Sequence, residues 1–168
     1  MMKPFDPKRL VLIHGLEGSS QGDKAVLLRG LFPQILTPDF IGPVSERMTL
    51  LYSLLGESMG WTIVGSSLGG LMAALFTCQR PAQVRKLILL APALFLPEFA
   101  AQSFDPVDVP TVVYHGVRDD LVPIDPTRQL AEKVFKDLTF NTVDDDHRLF
   151  ATVHSIDWKT LVYGERSQ

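Results

Sequence analysis

Three residues carry the chemistry this sequence could do, and they occur in the order Ser67, Asp119, His147. Ser67 is the centre of Gly65-Ser66-Ser67-Leu68-Gly69, a G-x-S-x-G match whose register selects the second of two adjacent serines. A serine hydroxyl attacks a carbonyl only when a base removes its proton, and that base needs an acid to orient it. His147, in DDDHRLF, is a candidate base, and Asp119, in YHGVRDDLVP, a candidate acid. Asp120, its neighbour, competes for the acid's role. Taken singly these are an ordinary loop serine, turn acid and surface histidine. In chain order, each after a strand-like run, they form a nucleophile, an orienting acid and a base.

A glycine-rich loop can also cradle phosphate, and the spacing argues against that here. The phosphate loop G-x-x-x-x-G-K-[ST] needs lysine directly after a glycine, whereas Gly22 is followed by Asp23. GSSLGG holds no lysine, and no G-x-G-x-x-G follows the first apolar run.

Stepping outward from these residues, short runs rich in Val, Ile and Leu alternate with amphipathic segments of helical length. That is the pattern of βαβ units around a parallel sheet. The spacing predicts strands at 9–13, 34–37, 61–65, 86–91, 111–115 and 138–143. Helices are predicted at 20–32, 45–59, 68–79 and 126–135, with a last one from about His147 to Leu161. The expected fold is a doubly wound α/β domain: a mostly parallel sheet of about six strands with helices on both faces. Such sheets bind ligands beyond the carboxyl ends of their strands, where HGLEGSS, GSSLGG, HGVRDD and DDDHRLF all fall. WTIVG before Ser67 and LGGLMAALF after it give the strand-turn-helix context that G-x-S-x-G requires. His14 and His115, both in HG pairs, read as structural residues holding loops, and His154 as a residue of the last helix.

Pro92–Pro110 breaks the rhythm, being proline-rich and lacking a long helical period. A connection of this length is either a lid-like binding segment or an apolar cover for a sheet edge, with Leu94, Phe95, Leu96 and Phe99 as the covering residues.

Composition narrows the partners. A length of 168 residues suits one domain spanning 1–168, and a net charge of -3 offers no basic face for nucleic acid. Cys78 is the only cysteine, so neither an intrachain disulfide nor a cysteine-based zinc site can form, and it reads as a small helix residue. No stretch has the shape of a signal peptide or a membrane span, so a cytoplasmic protein without membrane insertion is expected. No metal or other cofactor is expected, and the oligomeric state is left open.

LVLIHGLEGSS, IVGSSLGG, VVYHGVRDDLVP and DDDHRLF together resemble the landmarks of the α/β-hydrolase superfamily from Arg9 to about Phe150. Within it the chain is most similar to small esterases of the YqiA type, including Lys24 and the Leu27-Leu28 pair. The resemblance implies a serine esterase acting on a small-molecule ester, in which Ser67 attacks an acyl carbonyl, His147 serves as base and then acid, and Asp119, which the family's H-G-x-x-D-x-x-V-P pattern selects over Asp120, orients the imidazole. It also implies an oxyanion hole made by the backbone N–H groups of Leu16 and Leu68. The lid of larger members is represented only by Pro92–Pro110, so a shallow, partly open pocket for short acyl chains is expected, with Leu16, Leu94, Phe95 and Leu121 as walls. Glu17, Asp120, Asp144, Asp145 and Asp146 are expected to surround the site and disfavour anionic substrates. The same triad serves thioester, amide and C–C hydrolysis, and a binding protein of this fold without chemistry is the reading from another class.

Overall fold

In the computed structural model, which describes residues 2–164, the apolar runs form one parallel sheet whose strands follow chain order, β1-β2-β3-β4-β5. The strands are β1 (Leu10–Ile13), β2 (Trp61–Ser66), β3 (Val84–Leu90), β4 (Thr111–Gly116) and β5 (Leu138–Val143). Around them lie α1 (Asp23–Leu31), α2 (Val44–Leu55), α3 (Leu68–Gln79), α4 (Pro97–Ala100), α5 (Ile124–Val134), α6 (Phe150–Ser155) and α7 (Trp158–Tyr163).

The near-continuous apolar runs are explained by burial on both faces. Along β1, Val11 and Ile13 enter one core with Leu51 of α2 and Leu71 of α3, while Leu10 and Leu12 enter the other with Leu28 of α1 and Trp158 of α7. Leu87 and Leu89 of β3 alternate with Ile88 and Leu90 in the same way. The two cores are the two sides of the sheet, since successive side chains point to opposite faces.

The sheet has five strands, and the sixth run, at 34–37, is reduced to a single bridge between Leu36 and Val11. Leu36 accepts from the Leu12 N–H and donates to Leu10 O, both at 2.9 Å. The next donor along this ladder is Pro38, which has no N–H, and on the other side β1 is preceded by the 3-10 turn Pro7–Arg9. The predicted last helix is also broken in two. Ile156 is extended, and Asp157 starts α7 afresh by accepting from the Thr160 N–H, while the Trp158 indole folds back to donate to Val153 O.

Leu36 lies beside β1 on the side away from β2, so the chain leaves β1 in one direction and returns to β2 in the other. Helices α1 and α2 therefore fall on opposite faces, and a crevice opens above β1 where the connections diverge. The start of α3 is pressed against that crevice. A Cβ on Gly69 would lie 2.0 Å from Ile13 O and 2.5 Å from His14 O, and one on Gly65 would lie 2.5 Å from Gly69 O. The two glycines of the motif are thus sites of close backbone approach. Gly69→Ala is expected to cost at least about 3 kcal/mol, because the obstacle is backbone rather than a movable side chain. Urea unfolding measures this, and an unchanged midpoint would contradict the packing described.

Candidate active site

Ser67 sits on the turn between β2 and α3 with φ 55 and ψ -115, a backbone conformation that non-glycine residues rarely occupy. The turn is held by backbone bonds: Ser67 N–H donates to Leu90 O at 2.9 Å, and Ser67 O accepts from Gly70 N–H and Ala93 N–H, both at 3.0 Å. Its hydroxyl caps no helix, which leaves it free to point outward.

His147 lies beyond β5, and its Nε2 is 3.0 Å from Ser67 Oγ while its Nδ1 is 2.8 Å from Asp119 Oδ2. A carboxylate can only accept, so the Nδ1 position carries the proton and Nε2 is left as an acceptor facing the serine hydroxyl. Asp119 lies beyond β4 with its side chain fully buried, and its Oδ1 accepts from the N–H groups of Leu121 at 2.9 Å and Val122 at 2.8 Å. Burial disfavours its charge, but the Val122 N–H, His147 and the Leu121 N–H outweigh that and hold the carboxyl below its ordinary value. Asp120 is exposed at the mouth of the cleft and takes no part in this chain of bonds.

The loop after β1 abuts the serine. A Cβ on Gly15 would stand 3.3 Å from Ser67 Cβ and 4.0 Å from Ser67 Oγ. Neither the Leu16 N–H nor the Leu68 N–H has a hydrogen-bond partner among the described residues, and Leu68 opens a helix whose N-terminus carries partial positive charge. His14 fixes this loop, its Nδ1 lying 2.6 Å from Gly15 O and its Nε2 accepting the Phe40 N–H at 2.9 Å. The buried Arg47 of α2 adds a bond to Gly42 O at 2.7 Å and a longer one to Leu16 O at 3.4 Å.

These groups open into a cleft of about 1170 Å³ whose apolar lining includes Leu16, Phe95, Leu96, Leu121 and Phe150. Leu94 departs from expectation: it is wholly buried in the core, while its neighbours Phe95 and Leu96 face the cleft. Ala91, at φ 45, reverses the chain as it leaves β3, and Pro92 is packed against Gly70, so alternation along the strand does not continue. The segment Pro92–Pro110 is accordingly both things at once, with Leu94 and Phe99 in the core and Phe95 and Leu96 in the cleft wall.

The expected ring of acids is also incomplete. Glu17, Asp120 and Asp146 line the cleft, but so do Lys24, Arg118 and Arg148, and Asp144 is turned to Arg118 at 3.0 Å. Asp145 is buried and organises the histidine loop instead. Its carboxylate accepts from the N–H and hydroxyl of Thr152 and from the Asp146 N–H, and its backbone O accepts from the Arg118 N–H. Burial works against its charge, and those donors hold its carboxyl low nonetheless. Lys24 reaches across from α1 to donate to Arg148 O at 3.0 Å, next to His147; burial pushes its ammonium below the usual range. His154, on α6, pairs with Asp23 at 2.9 Å.

Ser66 ends β2 with no side-chain hydrogen bond among the described residues. Burial pushes the Cys78 thiol up to about 12, as suits a packing residue. Among the described residues no three His, Cys, Asp or Glu side chains gather as a metal site, and no helix is long and apolar enough to cross a membrane.

The fold recurs among solved structures. A candidate hydrolase of the α/β superfamily from Xanthomonas campestris pv. campestris is 25% identical, with 90% of this chain and 93% of that chain covered at a TM-score of 0.75. Est1E from Butyrivibrio proteoclasticus, solved with ferulic acid bound, is 17% identical over 92% of this chain and 88% of its own, with a TM-score of 0.73. A marine microorganism esterase is 17% identical over 97% of both chains, with a TM-score of 0.72. No family model matches the sequence, and no curated protein does. The fold is that of the α/β hydrolases.

Proposed function

We propose that this protein is a serine hydrolase that cleaves small carboxylic esters through an acyl-enzyme. One observation carries the reading: the unbroken series from Ser67 Oγ to His147 Nε2 at 3.0 Å and from His147 Nδ1 to Asp119 Oδ2 at 2.8 Å. His147 takes the serine proton as the hydroxyl attacks, the Leu16 and Leu68 N–H groups receive the oxyanion, and His147 then protonates the departing alcohol. Water repeats the sequence on the acyl-enzyme. Asp119 stays ionised throughout and keeps the imidazole in the tautomer that accepts from serine. The ester names of the structural neighbours support this substrate class over thioesters, amides and C–C bonds, which the same groups could also attack.

A fluorophosphonate probe tests the reading directly. Stoichiometric labelling that maps to Ser67 is expected, and a protein that stays unlabelled, or is labelled elsewhere, would refute it. Acyl preference follows from the walls. Each methylene buried against Leu16, Phe95, Leu96, Leu121 or Phe150 is worth about 0.8 kcal/mol, but carbons beyond that open wall stay in water and add nothing. In a series of p-nitrophenyl esters, kcat/KM is expected to rise from acetate to butyrate and to gain nothing further toward decanoate. Best turnover on decanoate would contradict the open short-acyl site.

A further inference from the structure

Asp119 is approached by two histidines. Besides His147, the wholly buried His115 of β4 brings its Nε2 to 3.3 Å from Asp119 Oδ2, the oxygen that His147 uses, and to 2.9 Å from Val122 O. Its other nitrogen, Nδ1, is buried without a hydrogen-bond partner. The ring is held flat against Phe140, 15° from parallel with centroids 6.2 Å apart.

The position of its proton follows from these contacts. A proton on Nδ1 would be a buried donor with no acceptor, and it would leave the Nε2 lone pair facing two oxygens. A proton on Nε2 is donated to Val122 O at 2.9 Å, faces Asp119 Oδ2 at 3.3 Å, and leaves only a weak acceptor orphaned. Adding a second proton would bury a charge as well as an unpaired N–H. The titratable and charged groups that face His115 are Asp119 and His147 from the loops and Arg128 from α5; burial is the largest influence and pushes His115 below the ordinary histidine range.

We propose that His115 is a positioning residue for the acid of the triad: its Nε2–H donates to Val122 O and turns its positive end toward Asp119 Oδ2, 3.3 Å away. This rests on the reading of Ser67, His147 and Asp119 as a catalytic triad. That bond braces the Val122 turn, whose own N–H holds Asp119 Oδ1, and the same N–H dipole faces Oδ2. The dipole facing Oδ2 also competes with the His147 Nδ1–H for that oxygen.

The test pairs a variant without the donor, His115→Leu, with one that keeps an N–H at the Nε2 position, His115→Gln. For His115→Leu the acid-side midpoint of the kcat/KM profile is expected to move upward by about 0.5 pH unit, and for His115→Gln to stay near the wild type. Equal midpoints in the wild type and His115→Leu, with only thermal stability reduced, would mean that His115 merely packs, and would overturn the proposal. Ring 15N shifts of wild-type His115 supply a measurement independent of the variants' folding. A neutral Nε2–H tautomer at every pH where the protein is folded is expected; an Nδ1–H tautomer, or an imidazolium at the acid end, would overturn the proposal. Ester turnover that survives Ser67→Ala would fail the triad reading instead, and the 15N shifts would still decide the tautomer.

Discussion

Ser67→Ala is expected to lower kcat for p-nitrophenyl acetate by about a million-fold, to the level that the cleft and its free N–H groups sustain alone. The substitution removes one oxygen and keeps the Cβ, so the backbone bonds to Leu90, Gly70 and Ala93 that hold the turn remain. Ser66→Ala is the matched control. Its hydroxyl bonds to nothing among the described residues, and turnover within about threefold of the wild type is expected. Initial rates beside fluorophosphonate labelling separate the two serines. Substantial turnover or labelling that persists in Ser67→Ala would remove the nucleophile from the mechanism.

Asp119→Asn carries the second largest effect, a drop in kcat of about ten-thousand-fold. The local bonds say why a near-isosteric change is so severe. The Leu121 and Val122 N–H groups both point at Oδ1, so the asparagine must place its carbonyl oxygen there. Its amide N–H is then turned toward His147 Nδ1, which must become an acceptor, and the ring proton moves to Nε2. That nitrogen now opposes the serine hydroxyl with a donor and cannot take its proton. Asp120→Asn, at the exposed neighbour, is expected to leave kcat within about twofold of the wild type. If the two aspartates exchange effects in steady-state assays, the acid has been misassigned.

The parts of the site that could be read from sequence are those where residue type and strand position together fix the geometry. Gly65 and Gly69 announce close backbone approach, β2 and α3 supply the strand-turn-helix around Ser67, and β4 and β5 end where Asp119 and His147 begin. What stayed hidden depends on where the chain bends or on partners far away in sequence. Leu94 is expected in the pocket because Pro92–Pro110 stands in the place of a lid, whereas beyond the positive φ at Ala91 its side chain packs in the core. Asp145 looked like one more acid of a charged rim, and only the fold brings Thr152 to its carboxylate. Arg47 and Lys24 lie on helices whose patterns carry no sign of the loops they brace. The run at 34–37 has the composition of a strand, but Pro38 removes the donor its ladder needs. The break at Ile156 was written locally, in the aspartate three residues before Thr160, and the longer helical period obscured it.

The connection from β3 to β4 is pinned at both ends, by Ala91 N–H on Tyr114 O and Ala93 N–H on Ser67 O at one, and by Val107, bonded to Val134 O and Lys136 N–H, at the other. Between these anchors Ala101, Gln102 and Ser103 stand exposed and outside the lining of the cleft. Closure entropy grows only with the logarithm of loop length, about 0.6 kcal/mol for each doubling. That short arc is therefore a growth point: extra helices could be spliced in at Gln102 to roof the cleft and retune its clientele, while the elbow, the histidine loop and the buried acid below keep their places.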